Sequence, residues 1–142
     1  MASLAVQRVI IEENLLPKAV RNGELMGKLL RQGLLAEGAV SKPFTFDIRG
    51  RGAFWGIEFD FSGCGADKLD FKRESFALLV QAQCLKNGLI VIGMGGGANL
   101  DGTKGNHLLL GPAYNATTDE IEKIVEIFVK SVEEVLRMSL QQ

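Results

Sequence analysis

The sequence is poor in the residues that build metal centres and disulfide frameworks. Its 142 residues include one histidine and two cysteines. Cys64 and Cys84 do not form a CxxC pair, so no zinc-ligand pattern is present and no metal is expected. A chain of this length buries enough surface to fold without such crosslinks. We therefore expect both cysteines to be buried, reduced thiols.

An excess of charge of one sign and a long apolar run are also missing. The 16 Lys+Arg residues nearly balance 17 Asp+Glu, for a formal net charge of -1, which disfavours nucleic acid and anionic membranes as partners. No apolar run approaches the ~20 residues of a bilayer span, and Arg8, Glu12 and Glu13 argue against a secretory leader. With three prolines and 46% hydrophobic residues, we expect one globular domain over 1–142, located in the cytoplasm.

Hydrophobic periodicity predicts four helices. Apolar residues within 2–16 recur at three- and four-residue spacings, which indicates a helix with a wide buried face and with an end or a kink at Pro17. A second helix is predicted over about 18–35, and a third over 71–87 with Gly88 as its stop. The last helix begins at Thr117, which matches a capping box with Glu120.

Alternating apolar residues predict strands between these helices. The strands form a ribbon over 44–61 and two short segments at 89–92 and 107–110, joined by the glycine-rich stretch 93–105. The ribbon residues expected on one buried face are Phe44, Phe46, Ile48, Trp55, Ile57, Phe59 and Phe61. The order αα-ββ-α-ββ-α describes an α+β fold, in which helices cover a small, mainly antiparallel sheet.

The glycine-rich stretch is similar to two phosphate-binding motifs and matches neither. Residues 93–98 fit G-x-G-x-x-(G/A), but the sequence predicts no helix directly after them to aim its amides at a phosphate. Residues 97–104 read G-x-x-x-x-G-T-K, in which the lysine and the hydroxyl are out of order. We expect a flexible connection whose glycines adopt positive φ.

Five residues carry the hypotheses on catalysis and binding. His107 is the only side chain that ordinarily titrates near neutrality and is the candidate for proton transfer, with Glu58 as a candidate acid or base. Arg49 and Arg51 are candidates to bind a carboxylate. Together with Trp55 they form the expected wall of a substrate pocket, with the glycine-rich stretch as its rim. Structural roles in ion pairs and hydrogen bonds are the alternative for each.

Several segments resemble the class III aminotransferases, enzymes of fold type I that depend on pyridoxal phosphate. Residues 49–59, RGRGAFWGIEF, are similar to the family's R-G-x-G-L-F-x-G-I-E segment. The likeness continues in the same order through 85–92, LKNGLIVI, and 101–121, DGTKGNHLLLGPAYNATTDEI, while 2–35 are similar to the helices after the family's large domain. The resemblance covers nearly the whole chain and implies the family's small C-terminal domain.

The same resemblance implies that the chain lacks most of the cofactor site. In the family, the lysine of the Schiff base and most phosphate contacts belong to the large domain, so no cofactor is expected on this chain alone. Pyridoxal phosphate is expected only with a large-domain partner. Leu109 stands where some members carry a carboxylate-binding arginine, Asn106 replaces an acidic residue, and Ala113 replaces the second of two prolines.

Two functions remain open. In the first, the chain is a free-standing descendant of the domain that binds a small molecule, with or without cofactor-free acid/base catalysis. In the second, it is the C-terminal part of a split aminotransferase that needs a large-domain partner. A methionine at position 1, where the resemblance begins, favours an independent polypeptide. Apolar surface left without its neighbouring domain predicts an oligomer, most simply a homodimer with the first helix in the contact.

Overall fold

The structure of the chain is a computed structural model that describes residues 2–63, 65–100 and 104–140. Cys64, for which a buried thiol is predicted, lies outside the described residues. Residues 101–103 of the glycine-rich stretch also lie outside them. The helices of the described part are α1 (Ala2–Glu12), α2 (Leu15–Leu34), α3 (Phe76–Lys86) and α4 (Thr118–Ser139). Its strands are β1 (Thr45–Arg51), β2 (Phe54–Phe59), β3 (Ile92–Met94) and β4 (Asn106–Leu110). The predicted order of elements is confirmed.

The four strands form one antiparallel sheet in the order β1-β2-β4-β3. Along β2, Trp55, Ile57 and Phe59 are buried, and they alternate with residues of the opposite face. Their neighbours in register, Leu110 beside Trp55 and Leu108 beside Ile57, are buried as well. The α+β prediction, with helices covering a mainly antiparallel sheet, is therefore confirmed.

One cluster of buried side chains joins this face of the sheet to α2, α3 and α4. Its largest fully buried members are Phe59, Phe76, Phe128, Met26, Leu30, Leu34, Ile57, Leu108, Ile121 and Leu136. The Cys84 thiol lies inside this cluster, where burial raises its pKa. The prediction that Cys84 is buried is confirmed.

The helix starts and stops with a local signal are placed as predicted. The Thr117 side chain accepts a hydrogen bond from Glu120 N, and Thr117 N donates to Glu120 Oε2 over 2.7 Å, which completes the capping box of α4. Gly88 follows α3 with a φ of 90°, as a left-handed helix stop requires. No helix in the described part combines the length and apolarity needed to cross a membrane.

The first helix differs from its prediction in two respects. The break falls at Asn14, which has a φ of 51°, and Pro17 lies in the first turn of α2, where a missing N–H leaves no acceptor unpaired. The end or kink predicted at Pro17 is therefore found earlier, at Asn14. The predicted wide buried face is wrong, because α1 has no buried residue and Leu4 and Ile11 are 71% and 76% exposed.

Two other predicted boundaries shift because the chain must travel between layers. The helix predicted from residue 71 begins at Phe76, because Lys72 and Arg73 have positive φ and turn the chain before it. The strand predicted at 89–92 is found at Ile92–Met94, since residues 89–91 lead from the end of α3 back to the sheet.

A β-bulge changes the predicted pattern of β1. Thr45 pairs with Phe59 and Asp47 pairs with Glu58, so Phe46 is the extra residue between two successive pairs. Phe46 is 67% exposed, whereas Phe44 is buried. The prediction that Phe46 shares the buried face is therefore wrong.

The edge strand β3 is covered by a side chain of α3. Gly93 lies against the backbone of Ala77, so closely that a Cβ on Gly93 would overlap the Ala77 carbonyl. Gln81, one turn further along α3, accepts a hydrogen bond from Gly93 N over 2.7 Å. The outward N–H of the edge strand is thereby satisfied within the chain.

Two glycines of α2 allow the helix to touch the β1–β2 hairpin. A Cβ on Gly23 would overlap the carbonyl oxygen of Gly52, and a Cβ on Gly27 would overlap the ring of Trp55. The Trp55 Nε1 donates to the same Gly52 carbonyl over 3.0 Å. Helix, turn and indole are thus packed without intervening side chains.

We predict that Gly23→Ala destabilises the fold although alanine is the better helix former. The gain in helix propensity is about 1 kcal/mol, whereas overlap with a backbone carbonyl costs about 1–3 kcal/mol or more. Urea unfolding should show a net loss for Gly23→Ala, while Gly63→Ala, with open space around its Cβ, should stay near the wild type. A variant Gly23→Ala as stable as the wild type would contradict the close approach.

Candidate functional site

The face of the sheet turned away from the helices carries a row of polar side chains. Glu58 of β2 is paired in register with Asp47 of β1 on one side and with His107 of β4 on the other. Directly paired residues of antiparallel strands project to the same face. The three strands therefore place Asp47, Glu58 and His107 side by side on the open face of the sheet.

Arg49 closes the carboxylate end of this row. Its Nη1 lies 2.9 Å from Asp47 Oδ2 and 2.8 Å from Glu58 Oε2. The hydrogen bond to Asp47, followed by that to Glu58, raises the pKa of Arg49 above its ordinary value. Glu58 is half-buried, with 19% of its side chain exposed. A substrate carboxylate would have to compete with these two acids for Arg49.

His107 is held by the backbone of the glycine-rich stretch. Its Nδ1 lies 2.8 Å from Gly105 O, and because a carbonyl oxygen only accepts, Nδ1 is the protonated nitrogen. A neutral ring then has an unprotonated Nε2. Within the described residues no hydrogen bond joins the ring to Glu58, although the two residues are paired in register.

The structure separates Trp55 from this group, and it places Arg51 at the hairpin end of the open face, in register with Phe54. Trp55 is buried on the helix-covered face, where its ring also lies under the Arg31 guanidinium at 5.4 Å. Arg51 lies at the hairpin end of β1 and lines a different groove, beside α2. The expected wall of five residues thus reduces to Arg49, Glu58 and His107. Sequence alternation already contained the signal that Trp55 and Glu58 occupy opposite faces.

A cavity of about 440 Å³ opens beside Glu58. Asp60 and the bulged Phe46 line it together with Lys104 and Gly105 of the glycine-rich stretch. The backbone N–H and the hydroxyl of Ser62 donate to Asp60 and lower its pKa. The sequence reasoning missed Asp60, Phe46 and Lys104 as neighbours of Glu58. Alternation with Glu58 was the available signal for Asp60, whereas a bulge at Phe46 had none.

Asn106 links β4 to the start of α3. Its Oδ1 accepts from Ser75 Oγ over 2.9 Å and from Ala77 N over 3.3 Å, so it satisfies an amide in the first turn of the helix. No local pattern indicates this cap, because β4 and α3 are distant along the chain.

The glycine-rich stretch has the backbone expected of a connection. Gly96, Gly97 and Gly105 have φ values of 80°, 90° and 98°, as predicted. No helix begins in residues 95–100, so this part of the stretch has no helix N-terminus for a phosphate.

The other possible anchoring groups are dispersed. Every lysine of the chain is exposed, including Lys42 and Lys104. Within the described ranges, no three His, Cys, Asp or Glu side chains come together as a metal site. On the open face, half-buried Leu109 lies beside Gly56, its partner in register. This is the position at which some class III aminotransferases carry a carboxylate-binding arginine, and leucine has no charge with which to replace it.

Comparison with known proteins places the chain beside the aminotransferases. No family model matches it. It is 38% identical over 128 residues to an aminotransferase of Gibberella zeae, an alignment covering 87% of this chain and 23% of that protein. It is 30% identical over 131 residues to an uncharacterized aminotransferase of Schizosaccharomyces pombe, covering 92% of this chain and 27% of that protein. A solved aminotransferase of Bacillus anthracis is similar with a TM-score of 0.69 and 25% identity, over 92% of this chain and 27% of that chain.

The chain therefore spans about a quarter of the length of the relatives it matches. Over that quarter, both sequence and fold are similar to those of aminotransferases. The resemblance to the small C-terminal domain of the class III enzymes, without the lysine-bearing large domain, is confirmed.

We predict that Asn106 stabilises the fold through the cap of α3. Asn106→Ala leaves Ala77 N and Ser75 Oγ without their acceptor and should cost about 1–2 kcal/mol in chemical denaturation. Asn106→Asp keeps an acceptor oxygen and places a negative charge at the helix N-terminus, so it should stay within about 0.5 kcal/mol of the wild type. Equal losses in both variants would argue against a capping role.

Proposed function

We propose that this chain acts as the small domain of an aminotransferase and is competent for transamination only when a lysine-bearing large domain completes it. The observation that carries this proposal is the open face of the sheet. It carries Glu58 and His107 as a pair in register, with Arg49 bound to Glu58, and no helix of the described part covers it. The chain's match to about a quarter of the length of its aminotransferase relatives supports the same conclusion.

The open face is also apolar enough to favour a protein neighbour. Phe54 of β2 and Ile92 and Met94 of β3 are exposed there, next to half-buried Leu109. Large apolar side chains grouped on one surface are typical of an interaction site. The charged residues of the row then lie at the boundary between the two domains, where they contribute to the wall of an active site.

The described residues do not by themselves fit pyridoxal phosphate. That cofactor supplies an electron sink, and its use requires an enclosed lysine amine and a cradle for the phosphate. The lysines of this chain are all exposed, and no helix N-terminus follows β3 in residues 95–100. A large domain that provides both is thus the partner that the proposal requires. It either belongs to the same polypeptide or binds as a separate chain.

Complementation tests this function directly. The Gibberella zeae relative is expressed without the part that this chain matches, and is mixed with the chain in the presence of pyridoxal phosphate and an amino donor. We expect transamination from the mixture and none from either part alone. Turnover of an amino donor by the purified chain would contradict the proposal, as would an inactive mixture in which the two parts bind each other.

A matched pair of variants tests whether the open face contributes. Glu58→Gln removes the carboxylate that holds Arg49, and we expect it to lower kcat/KM of the mixture about ten-fold, the loss typical of one hydrogen bond to a charged group. Glu122→Gln changes an exposed glutamate of α4 and should leave the rate unchanged. Similar rates for both variants would remove Glu58 from the proposed site.

The exposed first helix favours a second candidate, a free-standing protein that self-associates. Since α1 has no buried residue, a second copy packed on it would cover Leu4 and Ile11 and so stabilise a homodimer. This candidate does not require a large domain. A small-molecule ligand would then bind to the dimer.

Light scattering distinguishes the two candidates. If α1 forms the contact, the chain should be a dimer at micromolar concentration, and the double variant Leu4→Glu/Ile11→Glu should be a monomer. Leu85→Glu changes an exposed leucine of α3 and should not alter the mass. A monodisperse wild-type monomer would contradict self-association through α1.

A further inference from the structure

A groove at the hairpin end of the sheet is lined mostly by apolar side chains and by one arginine. It has a volume of about 500 Å³, within the range of small-molecule sites. Its walls come from the start of α2, the β1–β2 turn and the segment after β4. Its apolar side chains include Leu16, Val20 and Phe54, and its polar ones include Arg51 and Tyr114.

Arg51 is the one charged residue of this lining. Arg49, two residues earlier on the same strand, forms ion pairs with Asp47 and Glu58. In the described part of the chain, by contrast, Arg51 makes no hydrogen bond and no ion pair. The groove therefore combines an unpaired guanidinium with an apolar wall, a pairing that favours an anion carrying an apolar body.

The wall that carries Arg51 is fixed in position. The carbonyl oxygen of the next residue, Gly52, accepts a hydrogen bond from Trp55 Nε1. The same carbonyl is in close contact with Gly23 of α2. The turn therefore cannot move away from the helix without losing its contact with Gly23. A preformed wall lowers the entropic cost of binding a ligand.

We propose that this groove binds an amphiphilic monocarboxylate. Arg51 is the partner of the carboxylate, the side chains of Leu16, Val20 and Phe54 contact the apolar part, and the Tyr114 hydroxyl offers a second donor. The lining has no acidic side chain to hold an ammonium group. A plain carboxylic acid thus fits this groove better than a zwitterionic amino acid does. Every residue of this groove belongs to this chain.

Titration of the whole chain with 4-phenylbutyrate, followed by isotope-edited NMR, tests the proposal. For a ligand of this size we expect a Kd of about 1 mM or tighter, with shifts concentrated at residues of the groove. 4-Phenylbutanamide, which lacks the charge, and homophenylalanine (2-amino-4-phenylbutyrate), which adds an ammonium, should each bind about ten-fold more weakly. Equal affinity for the acid and the amide would overturn the proposal.

Variants locate the charge. Arg51→Gln should raise the Kd for 4-phenylbutyrate about ten-fold and leave that for 4-phenylbutanamide unchanged, while Arg51→Lys should retain part of the preference for the acid. Arg73→Gln, an exposed arginine that does not line the groove, is the matched control and should bind like the wild type. Equal weakening by Arg51→Gln and Arg73→Gln, or no groove shifts at millimolar acid, would refute the site. Because the comparison of the three ligands uses the wild type, the test stands even if Arg51→Gln fails to fold.

Discussion

The close approach of α2 to the β1–β2 hairpin decides which face of the sheet is buried. Gly23 and Gly27 lack the side chains that would hold the hairpin away, so the Trp55 ring and the Gly52 carbonyl lie directly on the helix. Since residues of a strand alternate between faces, fixing Trp55 inward fixes Glu58 outward. The position of the charged row thus follows from two missing Cβ atoms on a neighbouring helix.

Helices cover only one of the two faces of the sheet. The inner face is packed by three helices into one core, whereas the outer face has ion pairs and exposed apolar side chains side by side. Exposed ion pairs contribute little stability, so the Arg49 cluster defines side-chain geometry more than it holds the fold together. This asymmetry is consistent with a domain whose chemistry depends on a neighbour.

Local signals in the sequence predicted most of the fold. The capping box at Thr117, the stop at Gly88 and the alternation along β2 each depend on neighbouring residues, and each is confirmed. The exposure of α1 and the bulge at Phe46 depend on how distant segments pack, and neither had a local pattern. Periodicity alone gave α1 an apolar face but not a partner to bury it.

The candidate site was predictable only in part for the same reason. Its residue types were visible, and Arg49, Glu58 and His107 lie on one face as the hypothesis required. The pairing of Glu58 with His107, however, is set by the register of strands nearly fifty residues apart. The role of Asn106 arises from contacts with the start of α3 that no short stretch of sequence encodes.

The hydrogen bond between Gly93 and Gln81 has a consequence for behaviour at high concentration. An uncovered sheet margin offers free amides on which another molecule's backbone can add, which is a common start of fibrous aggregation. Here the side-chain amide oxygen of Gln81 accepts a hydrogen bond from Gly93 N, the central N–H of the edge strand β3. This hydrogen bond disfavours the addition of another molecule's backbone at the β3 edge of the sheet.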